Sequence, residues 1–356
     1  MKIQVVRPEE LGPAELAAWR RMRHETPGLA SPFLAPEFTR AVGGVRDDAR
    51  VAVLEQDQEI VGFFPFHRRR FGVGSPIALA DAQALIHAPG VTWDARELLA
   101  GCGLAVWEFD HLLAGQAPFT PYHRRAVQSP IIDLTDGYAA YLERRTRASE
   151  RIRVARRKGR KLARELGDLR FEFNSHDPAA LGQVLRWKSA QYRRTGRGDR
   201  FAIPWRRRLV EDLFELRAGG CSGSLSLLWA GDRLVAGHFG LRSERVLASC
   251  YPAYDVGVSR YSPGWLLFMS IAEGAAGCGL QHVDLGKGDE EYKQSLKTGD
   301  LALAEGWVER RSLGALARAA QREPRRWATR FILDRPPLRR AARRLLREVG
   351  QLRGSG

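Results

Sequence analysis

Two short segments in the second half of the sequence hold residue types whose spacing can do chemistry. The first, Arg260-Tyr261-Ser262-Pro263-Gly264, stands directly before an apolar stretch. Serine is a good helix N-cap and proline is favoured at the first helical position, so a helix is predicted to start here with unpaired backbone N–H groups. Those groups and the positive end of the helix dipole attract a phosphate, and Arg260 adds charge at the same place. The second segment is Asp284-Leu285-Gly286-Lys287-Gly288-Asp289-Glu290-Glu291-Tyr292-Lys293. Here a predicted strand runs into glycines that permit close backbone approach, and then into titratable side chains. Asp284 or Glu291 can accept a proton from an amine, and Tyr292 can give one to a leaving thiolate; acyl transfer from a thioester needs both transfers. Gly286 and Lys293 join Arg260 to Gly264 as candidate contacts to a phosphate-bearing donor. His238, beside Gly237 on a predicted strand, and Asp255, in the loop before Arg260, are candidate contacts to an acceptor. Each segment also reads as an ordinary capped helix or a solvated first turn.

The elements that must position these residues form a repeated order. In the first half, an amphipathic helix is predicted over 9–23, a hairpin from the two runs 50–54 and 60–65, a helix over 93–102 and strands over 104–109 and 131–134. A long helix is predicted over 138–166. After it come a strand at 169–173, helices at 179–193 and 205–218, a hairpin over 224–239 and a strand at 245–252. A loop at 253–261, a helix at 263–278, a strand at 282–286, a short helix at 290–297 and a last strand at 301–308 complete the unit. The recurring order predicts a duplicated α/β fold with mixed sheets (α+β), divided at about residue 135. The boundaries are 1–135, 136–310 and a tail at 311–356. In that tail, Leu338, Ala341, Ala342, Leu345, Leu346 and Val349 lie at helical spacing among arginines, the pattern of a basic amphipathic helix.

Composition narrows the class. A chain of 356 residues with 44% hydrophobic residues is long enough for two cores and is not disordered as a whole. Its net charge of +16 is concentrated: residues 144–170 carry +9 and residues 309–356 carry +10, so the remainder is slightly acidic. The basic run at 151–164 suits a CoA phosphate, a sugar nucleotide, an anionic regulatory nucleotide or tRNA, and no element gives the base readout of a duplex-DNA reader. The tail suits an anionic inner-membrane surface, a partner, or its own domain. The first residues lack a signal-peptide pattern, and the apolar run 264–280 is interrupted by Glu273, so a cytoplasmic protein is expected, peripheral to the inner membrane where its tail takes the first of those roles. Four scattered cysteines form no Cys-x-x-Cys pair, which argues against zinc and against a disulfide framework.

The run Tyr261-Ser262-Pro263-Gly264, followed by Gly279, Asp284-Leu285-Gly286, Gly288 and Tyr292-Lys293, resembles the CelD-like or BioF2-like acetyltransferase family of the GNAT superfamily. The likeness covers residues 136 to 308 well and the first half loosely. It implies two tandem GNAT-like domains, as in the Fem-type transferases, with acetyl-CoA or another acyl-CoA as donor, no metal, and a role in exopolysaccharide or envelope synthesis. The Gln/Arg-x-x-Gly-x-Gly/Ala loop of single-domain GNAT enzymes is absent, so the donor is bound differently or is not CoA. The expectation is an N-acyltransferase acting on an amine, an amino sugar or sugar nucleotide. The alternatives are an aminoacyl-tRNA-dependent Fem-like transferase, or a non-catalytic GNAT-fold effector or scaffold that binds an anionic nucleotide at the membrane.

Overall fold

The computed structural model describes residues 1–310; the basic tail expected at 311–356 lies outside the described residues. In chain order, β1 (Lys2–Val6), α1 (Pro13–Glu25) and α2 (Pro36–Gly43) precede β2 (Ala49–Gln56), β3 (Glu59–Arg68), β4 (Val73–Pro76) and β5 (Ile86–His87). Next come α3 (Ala95–Gly101), β6 (Val106–Leu113) and β7 (His123–Asp133). Two helices, α4 (Gly137–Ala148) and α5 (Glu150–Leu166), lead into β8 (Leu169–Ser175), α6 (Pro178–Arg194), α7 (Pro204–Glu215), β9 (Arg217–Ala218), β10 (Cys221–Ala230) and β11 (Arg233–Arg242). The chain continues through β12 (Val246–Tyr254), α8 (Pro263–Gly277), β13 (His282–Asp284), α9 (Glu291–Leu296) and β14 (Gly299–Glu309). The predicted helix over 138–166 is therefore two helices. Ser149 takes an extended conformation between them, and the break lets Tyr141 of α4 and Ile152 of α5 both reach the core beneath α8.

A mixed sheet runs through both halves in the order β1-β2-β3-β4-β6-β14-β7-β13-β12-β11-β10-β8. Two pairs along it are parallel, β4 with β6 and β12 with β13. From either edge the sheet reads as three antiparallel neighbours followed by a parallel pair, which is the duplication expected from the recurring order. At the middle the halves exchange strands. β7, from the first half, pairs with β13, and β14, from the second, pairs with β6 while also lying against β7. One hydrophobic core accordingly packs Trp19, Phe38 and Phe63 with Leu209, Phe214 and Phe239 across the seam.

The geometry that opens a site lies at β12. Its parallel pairing to β13 covers only Val246 to Ala248, so from Ser249 to Tyr254 that edge of the strand is left without a sheet neighbour. The register to β11 slips between Phe239 and Gly240, leaving Cys250 as a bulged residue at the point of divergence.

Candidate active site

A cavity of 440 Å³ fills the fork beside β12. Its base is Pro252, Ala253 and Tyr254, and one wall is the first turn of α8 from Ser262 to Gly264. The opposite wall is α6 and the turn after it, with Lys188, Gln191, Tyr192 and Arg197; Glu290 and Tyr292 close the end. The two segments that sequence reading singled out thus meet in one cavity through Ser262, Pro263, Gly264 and Tyr292.

The start of α8 is open for a physical reason. Ser262 occupies the N-cap in the left-handed region (φ 57°), and its side chain makes no capping bond to the first-turn N–H groups. Its hydroxyl instead accepts a hydrogen bond from Lys158 Nζ of α5 at 3.0 Å. Gly159, the next residue, lets α5 come this close: a Cβ there would stand 2.8 Å from Leu266 of α8. Pro263 has no N–H and the Trp265 N–H turns back to the Ser262 carbonyl at 3.1 Å, so the terminus keeps the Gly264 N–H as its donor and gains an ammonium beside it, an arrangement that suits phosphate.

The remaining predicted residues take other places. Arg260 is exposed, stacks on the Tyr261 ring at 4.7 Å and pairs with Glu165 at 3.2 Å, while the buried Tyr261 gives its hydroxyl proton to the same Glu165. Both turn toward α5, and neither lines the cavity. Asp284 is buried, with Oδ1 accepting from Ser129 Oγ at 2.5 Å and from the Gly286 N–H at 2.9 Å. Glu291 is exposed and pairs with Arg151. Lys293 is buried and pins the 286–290 loop by donating to the carbonyls of Gly286 and Lys287 at 3.0 and 3.1 Å. Gly286 (φ 77°) makes the left-handed turn of that loop. Asp255 caps its own short 3₁₀ turn and pairs with Arg233 at 2.6 Å. His238 is fully buried beside Ser249 Oγ at 3.1 Å, and burial, reinforced by the Lys188 charge, pushes its pKa down to about 3.

Sequence reading missed Lys188, Gln191, Tyr192, Arg197 and the part played by Glu290. Burial, with Arg197, Arg200 and Lys293 nearby, lowers the Lys188 pKa to about 8, and its ammonium donates to the Pro252 carbonyl at 3.0 Å. Burial alone would raise the Glu290 carboxyl, but Lys293 at 3.2 Å outweighs it and holds the group below its usual range. Burial keeps the Tyr292 hydroxyl well above the usual phenol range, and the ring stacks on Phe268 at 5.5 Å. Gln191 Oε1 is buried at the wall without a hydrogen-bond partner among the described residues. A signal for Lys188 was present: the buried face of α6 runs Leu181, Val184, Leu185, Tyr192, and Lys188 falls on that stripe, where a charge is costly.

An open helix terminus and a bulged, half-unpaired strand, placed by two repeats of one α/β plan, define a tandem GNAT-like fold. Residues 149–294, from α5 to α9, match the family described as an acetyltransferase (GNAT) domain. The C-terminal domain of a putative lysylphosphatidylglycerol synthetase from Agrobacterium fabrum is similar in structure, with TM-score 0.53, 14% identity and coverage of 85% of this chain and 93% of that one. FemX is also similar (TM-score 0.49, 11% identity, 73% of this chain and 87% of that one). So is a tandem GNAT protein from the clavulanic acid biosynthesis pathway (TM-score 0.46, 11% identity, 86% and 98%). At such identities the likeness concerns the fold. No curated protein matches the sequence. Among the described residues there is no group of three or more His, Cys, Asp or Glu side chains able to hold a metal, and no helix long and apolar enough to cross a membrane.

Proposed function

We propose that the protein transfers an acyl group from acyl-CoA, acetyl-CoA in the simplest case, to the amino group of a small acceptor. The observation that carries this reading is the joining of the open α8 terminus to the unpaired edge of β12 in one cavity closed by Lys188 and Tyr292. Lys158 and the first turn of α8 hold the pyrophosphate, and a backbone N–H of the β12 edge polarises the acyl carbonyl. Lys188, neutral in part near pH 8, takes one proton from the acceptor ammonium. The freed nitrogen forms the C–N bond and the C–S bond breaks. Sulfur takes the Tyr292 proton, the nitrogen's second proton restores the phenol, and Lys188 passes its proton to water. The CelD-like or BioF2-like assignment and an amino-sugar acceptor of envelope synthesis belong to this same reading. Release of free thiol from acetyl-CoA in the presence of amines tests it: Tyr292→Phe should lower turnover about 10²-fold or more with donor affinity little changed. Equal turnover by the variant would remove Tyr292 from the mechanism.

A second reading, an aminoacyl-tRNA donor, is favoured by the exposed arginines of α5, which abuts the α8 terminus. It predicts activity that requires charged tRNA, is abolished by ribonuclease and falls steeply with salt.

A further inference from the structure

A second cavity, of 470 Å³, lies in the seam between the halves, and its size suits a small molecule. Its first-half walls are the end of β3, with His67 and Arg69, and the irregular segment 77–83; the second half supplies Arg200, Trp205 and Arg206. The indole of Trp205 is flanked by Arg46 at 5.0 Å and Arg206 at 5.3 Å. Arg46 is neutralised by Asp48 at 2.8 Å. Among the described residues the guanidinium groups of Arg69, Arg200 and Arg206 have no carboxylate partner, and Arg206 Nε is buried without a hydrogen bond. These three arginines, outside any ion pair, outnumber the two carboxylates of the same hollow, Asp81 and Asp110, and leave it an excess of positive charge that favours an anion.

The same hollow holds one unsatisfied carboxylate. Asp110 is engaged, by Gln83 Nε2 at 2.6 Å and by His111 Nδ1 at 3.0 Å. Asp81 accepts no hydrogen bond, its nearest cation being His111 Nε2 at 3.7 Å. Its side chain is 40% exposed at the cavity wall, yet the surrounding protein desolvates it enough to raise its pKa, against the pull of His111 and Arg200. The backbone that presents it is strained: Leu79, a wall residue, has φ 63°, a cost that persists where the surroundings over-determine it. Asp81 and Arg200 also line a crevice of 50 Å³ that ends on Cys250 and Tyr251, directly before the β12 residues of the donor cavity. From the other side, Asp81 Oδ2 and Lys293 Nζ each lie 3.9 Å from the position of a Cβ on Gly286. Asp81 therefore stands between the seam and the bulge of β12.

We propose that the seam is where the acceptor is first held, and that it takes a small amine that also carries a phosphate or carboxylate, the anionic group resting against Arg69, Arg200 and Arg206 and the ammonium against Asp81 before the amine passes the β12 bulge to Lys188. This rests on the acyltransferase reading for its purpose, though not for its binding chemistry. Paired acceptors test it with the full chain: glucosamine against glucosamine 6-phosphate for the phosphate arm, and γ-aminobutyramide against γ-aminobutyrate for the carboxylate arm. The anionic member of at least one pair should have kcat/KM about tenfold or more above its neutral partner, and Arg69→Ala with Arg200→Ala should bring that ratio close to one, with the Kd for acetyl-CoA unchanged. In calorimetry without any donor, the favoured anionic amine should bind the wild type, and Asp81→Asn and the double arginine variant should weaken it about tenfold or more. Ratios near one together with no direct binding overturn the proposal. If acetyl-CoA is neither bound nor consumed while the anionic amine still binds through Arg69, Arg200 and Asp81, the acyltransferase reading fails and the seam site stands.

Discussion

Replacing Gly264 with aspartate isolates the phosphate role of α8 from its structural role. A Cβ at this position would have a ring carbon of Tyr254 as its nearest neighbour, at 3.6 Å, so the side chain enters without displacing anything. The fold should not suffer, because an aspartate in the first turn favours the helix dipole by about 0.3–1 kcal/mol and loss of a helical glycine adds about 0.5–1. Donor binding should suffer. At a separation of about 6 Å and an effective dielectric of about 40, each unit of like charge costs about 1.4 kcal/mol. Against a doubly charged pyrophosphate that becomes about 3 kcal/mol, roughly a hundredfold in Kd. Calorimetric titration with acetyl-CoA measures the change, thermal unfolding confirms that the midpoint has not dropped, and the deficit should shrink in about 0.5 M salt as screening shortens the range of the repulsion. A variant that binds acetyl-CoA within about threefold of wild type would refute the placement of the pyrophosphate.

The base role of Lys188 predicts that kcat/KM rises with pH and levels off above about 8, the pKa of the folded state. In the unfolded chain this lysine titrates near 10.5, so between these values the unfolded state binds more protons, stability rises with pH, and below 8 the cost of the buried charge is carried in full. Lys188→Met should thus abolish transfer and raise stability at pH 7 by about 2–3 kcal/mol, and an active variant of unchanged stability would dismiss the role. His238 is held neutral down to about pH 3 while its unfolded counterpart protonates near 6.5, so stability falls as pH drops through that window, and His238→Asn should flatten the decline seen in denaturant titrations. Gly159→Val should push α5 off Leu266, costing about 1–3 kcal/mol in chemical denaturation and weakening acetyl-CoA binding through Lys158, whereas Gly182→Ala on α6, where the nearest atom to a Cβ is a mobile Arg186 nitrogen at 3.4 Å, should do neither.

Local signals carried much of the architecture. Two apolar runs with polar Asp57-Gln58 between them gave the β2–β3 hairpin, whose turn places both residues at positive φ. Ser262-Pro263 marked the start of α8 because proline restricts the backbone wherever it stands. What the sequence hid was non-local. Nothing within residues 123–133 says that their partners will be β13 and β14, since strand pairing is fixed by packing and not by composition. Asp81 lies in a segment without period, and its importance comes from Arg200 and Gly286, which are distant in sequence. Arg260 misled for a related reason: its charge sits beside the helix start, but Glu165 of α5 draws the side chain away. Lys188, by contrast, was legible as a lysine on an apolar stripe and needed only to be asked what its burial was for.

The exchange of β7 and β14 has a mechanical consequence. A jaw-like rotation that carried β14 with the rest of the second half would have to shear the ladder from Gly299 to Gly306 on β7 and the one from Leu303 to Glu309 on β6 at the same time. The molecule is built as a welded frame, and access to either cavity is left to short spans that carry no strand: residues 77–83, the 196–203 turn and the 286–290 loop. Turnover should therefore tolerate a cross-link placed across the β7–β14 ladder far better than one that ties the 286–290 loop to segment 77–83.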